Sequence, residues 1–162
     1  MDMDLKRGAL ECRKLTPQWK QPLLDFLKAI ELTNDIEYFH PHPFTDDTIE
    51  NIIQTAQHDL YYVLVDGEDV LGYGMLRGWD ERYEIPSLGI AIHPQARHMG
   101  LGKFFMRFLN EAAKRKGATK VRLRVKSGNT RALCLYESLG YDFQSDEDGY
   151  RVGFLELTGR PF

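Results

Sequence analysis

The spacing of apolar side chains changes several times along this chain, and each change marks a new element. Ala9 to Leu15 reads as a first strand. Thr16-Pro17 follows as a helix start, with a capping hydroxyl and a proline at the first helical position. Leu23, Leu24, Phe26, Leu27 and Ile30 then recur at helical spacing, and Pro22 marks either the true start of that helix or a kink in it. From Asn34 to Phe44 the pattern breaks, and two X-Pro steps force extended backbone. Thr45 with Asp46 and Asp47 opens a second helix, whose apolar face is Ile49, Ile52, Ile53 and Ala56. Leu60–Val65 and Asp69–Leu76 flank Asp66-Gly67 as a hairpin.

A polar, aromatic connection, Arg77–Glu84, leads to a strand at Ser87–Ile92 that Pro94 ends. Leu101, Phe104, Phe105, Phe108, Leu109, Ala112 and Ala113 fall on one face of a third helix, with Lys114, Arg115 and Lys116 at its C-terminus and Gly117 as its stop. Val121, Leu123 and Val125 alternate with Arg122, Arg124 and Lys126, the period of a strand. Asn129–Leu139 is a fourth helix stopped by Gly140. Tyr141–Gln144 and Arg151–Leu157 close the chain as a strand pair around Asp146–Gly149. The order β-α-α-β-β-β-α-β-α-β-β predicts an α/β or α+β domain with a mixed sheet.

Composition narrows the function. With 162 residues the chain is expected to form a single domain over 1–162. A hydrophobic content of 43% with 28% charged residues excludes intrinsic disorder as the default. No apolar run reaches the roughly 20 residues of a membrane span, so no membrane partner is expected. Met1–Arg7 does not read as a secretory signal. A net charge of −3 argues against nucleic acid as the main ligand. Cys12 and Cys134 fit neither a disulfide framework nor a metal knuckle, so no metal and a reducing, cytoplasmic setting are expected.

The stretch carrying chemistry runs from Ile90 to Lys103. A buried strand passes a proline stop and a glycine-bearing turn straight into the best helix. Unpaired N–H groups and a partial positive charge make such a helix start an anion site. Gly100 and Gly102 let the backbone approach an anion, while Arg97 and Lys103 add full charges. A phosphorylated ligand is expected. It is not held by a Walker A loop, because Phe104 follows Lys103 where a hydroxyl is needed, nor by a dinucleotide fingerprint, because Phe105 replaces the third glycine.

Arg97-His98-Met99-Gly100-Leu101-Gly102 resembles the Arg/Gln-x-x-Gly-x-Gly/Ala signature of the GNAT N-acetyltransferase superfamily, and it follows a strand ending in a hydrophobic-x-His-Pro pattern as it does there. Downstream, Asn129, Ala132, Tyr136, Gly140 and Tyr141 resemble that family's Asn-x-x-Ala-x-x-x-Tyr-x-x-x-Gly-Phe/Tyr block. The resemblance covers about Ser87 to Phe143. It implies an acyl-CoA N-acyltransferase fold, a central, mostly antiparallel mixed sheet flanked by about four helices. It also implies acetyl-CoA as co-substrate and a primary amine as acceptor, and it allows a homodimer.

Within the resemblance each residue has an expected role. The main chain of Ile90 and Ile92 binds the pantetheine arm. The pyrophosphate sits on the amides from His98 through Gly100, Leu101 and Gly102 to Lys103, with Arg97 beside them, and Asn129 bonds the cofactor. Independently, the amine must lose a proton before attack, the developing oxyanion needs donors, and the thiolate leaves more easily beside a general acid. Tyr136 is the expected acid; it follows Asn129 by seven residues, about two helical turns, so both side chains share a face.

Relatives that acetylate ribosomal-protein N-termini carry a glutamate where this chain has Arg124, a departure that argues against that route. Other members draw a base from the fourth strand or its approach, so Glu84, nearer the strand than Glu81, is the expected base. His40 and His42 flank Pro41 without a third ligand spaced to complete a metal site. With Tyr38 and Phe39 they read as acceptor-pocket residues or loop packing, a histidine being an alternative base, and Trp79 and Tyr83 as a second wall. The basic residues of 114–126 read as a solvated face, with contact to a phosphorylated substrate as the functional alternative. The expected acceptor is a small-molecule amine; the alternatives are protein lysine or N-terminal acetylation and a non-catalytic acyl-CoA-binding regulator.

Overall fold

The computed structural model describes residues 8–157; the reading of Met1–Arg7 lies outside them. In chain order the elements are β1 (Leu10–Lys14), α1 (Lys20–Glu31), α2 (Asp46–Thr55), β2 (Leu60–Asp66), β3 (Asp69–Arg77) and β4 (Ser87–Ile92). There follow α3 (Leu101–Arg115), β5 (Lys120–Lys126), α4 (Thr130–Ser138), β6 (Asp142–Glu147) and β7 (Tyr150–Glu156). The predicted order is the observed one.

Differences are local. Thr16 makes no side-chain cap, because Pro17–Trp19 is a separate 3-10 turn and α1 begins at Lys20. Pro22 therefore lies in the first turn of α1, where a missing N–H leaves no helical bond unmade, and the helix needs no kink there. Thr45 does cap α2, its hydroxyl accepting from the Thr48 amide at 3.3 Å.

The seven strands form one sheet in the order β1-β2-β3-β4-β5-β7-β6, so the last strand inserts between β5 and β6. Every neighbouring pair is antiparallel except β4 with β5. α3 and α4 cover one face through Phe105, Met106, Leu109 and Leu133, packed on Leu64, Leu71, Val121, Leu123 and Val125. α1 and α2 cover the other through Leu23, Phe26, Leu27, Ile30 and Ile49, packed on Val63, Tyr73 and Met75. α3 lies so close to β3 that a Cβ at Gly74 would sit 2.7 Å from Leu109 Cδ1 and 2.8 Å from Phe105 Cζ.

The feature that positions the site is where the sheet fails. The parallel register between β4 and β5 is confined to Ser87 opposite Arg122. Beyond it the strands diverge, leaving main-chain groups of two central strands facing a gap. Among the described residues no helix is long and apolar enough to cross a membrane.

Candidate active site

The gap is a cleft of about 580 Å³. Leu88–Ile92 form one wall, Leu123–Val125 the other; Gly100–Lys103 of the α3 start, and Asn129, Leu135 and Tyr136, close it on the α3/α4 side. Asp35, Tyr38 and Phe39, from a 3-10 turn (Asn34–Glu37) and its exit, border the opposite side.

At the end of β4 the backbone turns twice through the left-handed region, at His98 (φ 64) and Gly100 (φ 77). A non-glycine residue held there costs on the order of 1 kcal/mol, a strain that concentrates at functional turns. The first α3 amide bonded to the preceding turn is that of Phe104, to the Gly100 carbonyl at 3.1 Å. The amides of Leu101, Gly102 and Lys103 thus precede the ladder, and these residues line the cleft. A Cβ at Gly102 would touch Leu135 Cδ2 at 3.5 Å, so this glycine keeps α3 and α4 close.

Arg97 differs from expectation. Its Nη1 pairs with Asp35 Oδ2 at 2.6 Å, and its Nε and Nη2 donate to the Ile92 carbonyl at 3.3 and 3.2 Å. The guanidinium ties the 3-10 turn to the end of β4 instead of standing free for a phosphate. Lys103 supplies a cation beside the helix start, and so does Arg131, whose Nη1 lies 3.5 Å from His98 Nε2. Arg131 had no signal in the motif blocks; it reaches the cleft because the starts of α3 and α4 converge there.

Asn129 caps α4, its Oδ1 accepting from the Ala132 amide at 3.3 Å, which leaves its NH₂ for a ligand. Tyr136 stands on the same side of α4 and borders the cleft. Its ring packs against Tyr141 (centroids 6.1 Å apart), whose hydroxyl donates to Asn110 Oδ1 at 2.6 Å. The Tyr136 hydroxyl has no such side-chain partner among the described residues. Burial pushes its phenol up to about 12, so it stays protonated at neutral pH and can donate a hydrogen bond.

The structure does not bring Glu84 or Glu81 into the cleft. Both are exposed on the β3–β4 connection, beyond the Ser87 end of β4 and away from the α3 start. The one carboxylate among the described lining residues is Asp35, already bound by Arg97. Of the acceptor-pocket residues expected, Tyr38 and Phe39 line the cleft; His40 and His42 do not. His42 Nδ1 lies 2.8 Å from the Pro43 carbonyl and so carries the proton, and Nε2 accepts from Tyr73 Oη at 2.9 Å. Burial holds its pKa below the usual histidine value. Trp79 lies beneath Lys116, its ring centroid 4.9 Å from Nζ, and Tyr83 is exposed; neither walls the cleft.

A splayed parallel strand pair, a glycine turn feeding a helix start and a phenol on the neighbouring helix define an acyl-CoA-type transferase site. Residues 24–141 match the model of the acetyltransferase (GNAT) family. This chain therefore belongs to the GNAT acetyltransferases, enzymes that use acetyl-CoA as co-substrate. It is similar to a GNAT acetyltransferase from Streptococcus pneumoniae (TM-score 0.77, 17% identity, 93% of this chain and 100% of that one). It is likewise similar to an acetyltransferase from Salmonella typhimurium solved with its cofactor acetyl-CoA (TM-score 0.75, 18% identity, 94% and 96% covered). In sequence it is 32% identical over 59 residues to the ribosomal protein bS18-alanine N-acetyltransferase of Escherichia coli strain K12. That match spans 36% of this chain and 40% of the relative.

Proposed function

We propose that this protein transfers the acetyl group of acetyl-CoA to a primary amine on a small molecule, by direct attack in a ternary complex. The observation that carries the reading is the divergence of β4 from β5 after Ser87, with the Tyr136 hydroxyl and the α3 amides at one side of the opening. The residues present fit the co-substrate. Main-chain groups of Ile90 and Ile92 suit the pantetheine arm. The amides from His98 through Gly100, Leu101 and Gly102 to Lys103 suit the pyrophosphate, with the Lys103 and Arg131 charges and the Asn129 amide around them. Arg97 serves by locking the turn, through Ile92 and Asp35, in the shape those amides require. When bound, acetyl-CoA supplies a thioester carbonyl as electrophile.

Tyr136 donates a hydrogen bond at the sulfur as negative charge develops there. No free carboxylate among the described residues lines the cleft and Glu84 lies outside that lining, which supports loss of the amine proton through water. A reducing compartment, the cytoplasm, suits the two free cysteines, Cys12 and Cys134.

A second reading, acetylation of a protein N-terminus, is favoured by the likeness to the bS18-alanine enzyme. Arg124, where the family resemblance implies a glutamate in enzymes of that kind, weighs against it. A thiol-release assay over small amines, amino sugars, amino acids and peptides tests the proposal. Turnover of a small amine at a rate above that of any peptide is the expected result; acetyl-CoA binding without turnover, or turnover of peptides alone, overturns it.

A further inference from the structure

β5 alternates strictly. Val121, Leu123 and Val125 enter the core beneath α3 and α4, so Arg122, Arg124 and Lys126 stand on the opposite face. That face belongs to α1 and the Asn34–Glu37 turn, since Lys126 pairs with Glu37 there at 3.1 Å. Arg122 Nη1 donates to Ser87 Oγ at 3.3 Å, bracing the point where β4 and β5 part.

Arg124 lies between these two and is exposed at the cleft border. No carboxylate among the described residues pairs with it. It is held instead by Tyr150 of β7, with Cζ 3.8 Å from the ring centroid. Stacking fixes the plane of a guanidinium and leaves its edge N–H groups for a planar, two-oxygen partner. Among the described residues of this face, Asp35 is taken by Arg97 at 2.6 Å and Glu37 by Lys126 at 3.1 Å. Arg124 is thus a pre-oriented cation with no carboxylate partner among the described residues. The Tyr136 side, where Lys103 and Arg131 surround the α3 start, lies across the sheet from it.

We propose that Arg124 selects the acceptor, and that the acceptor is a small amine carrying an anionic group, a carboxylate or a phosphate, which the guanidinium grips while the nitrogen enters the cleft. This rests on the small-molecule reading above. The same cation opposes polycationic acceptors, and it favours the neutral form of the attacking amine.

The test compares acceptors that share a carbon chain: α-amino acids, their decarboxylated amines and aminoalkyl phosphates, with calorimetry for acetyl-CoA on every variant. The wild type is expected to prefer anionic acceptors in kcat/KM, the carboxylate and phosphate arms showing which group is read. Arg124→Gln raises the acceptor KM by roughly 10- to 150-fold, the range of a hydrogen bond to a charged group, with acetyl-CoA affinity retained. Arg124→Lys restores part of the loss, and Arg124→Glu inverts the preference toward cationic amines. Turnover of neutral or cationic amines with no anionic preference in the wild type overturns the proposal and leaves the acetyltransferase reading standing. An equal loss of acetyl-CoA affinity in Arg124→Gln also overturns it. Failure to acetylate any small amine defeats both.

Discussion

Replacing Tyr136 with phenylalanine removes one hydroxyl and no packing. The ring keeps its contact with Tyr141, and the hydroxyl has no side-chain partner among the described residues to orphan. Stability should therefore change by well under 1 kcal/mol, a Tm shift of no more than about 3 °C. Catalysis should change far more. A phenol near 12 is a weaker acid than a thiol near ~8.5, by about 5 kcal/mol, so full proton transfer to the departing sulfur is uphill. The hydroxyl acts by donating a hydrogen bond to developing charge, and loss of one such donor costs roughly 10²- to 10³-fold in kcat. The assay is thiol release at saturating acceptor, with acetyl-CoA affinity measured by calorimetry and expected to stay within about twofold. Because the phenol titrates near 12, kcat of the wild type should show no descending limb up to pH 10. A kcat within threefold of wild type would refute the assignment, as would a descending limb near pH 9 that the variant lacks.

Gly100→Val puts a branched side chain at φ 77, where a Cβ meets nothing within 4 Å but the backbone itself is strained. The protein should fold with Tm lowered by several degrees and lose at least tenfold in acetyl-CoA affinity by calorimetry; normal affinity contradicts the anion-site reading. Gly74→Ala drives a methyl to 2.7 Å from Leu109, and urea unfolding should show a loss of about 1–3 kcal/mol at unchanged m. Burial depresses the pKa of both His42 and His93, so the folded state binds fewer protons than the unfolded one. Their contribution is fully present above about 6.5 and is lost as pH falls through the lower folded values. Unfolding free energy should fall between pH 7.5 and 5.5, and fall less in His42→Gln; equal stability at both pH values would contradict the burial of these rings.

Much of the site was legible because its parts are local. A glycine at φ 77 before an amphipathic helix, an asparagine capping the next helix and a tyrosine two turns on are each set within a few residues of backbone. Arg97 is the complementary case. Its neighbours in sequence mark it as a free charge beside a turn, and only the docking of Asp35, far away in the chain, claims it at 2.6 Å. Glu84, the expected base, sits on the exposed β3–β4 connection, whereas the cleft lining on β4 begins at Leu88: closeness in sequence is not closeness to the cleft.

The order of elements, their apolar faces and the glycine turn follow from side-chain period and backbone freedom, which are properties of short stretches of chain. The divergence of β4 from β5, the insertion of β7 beside β5, the pairing of Arg97 with Asp35 and the stacking of Arg124 on Tyr150 follow from none of these. Each joins segments distant in sequence, and a pairing of that kind is decided only when the helices settle on the two faces of the sheet and fix which edges and charges meet.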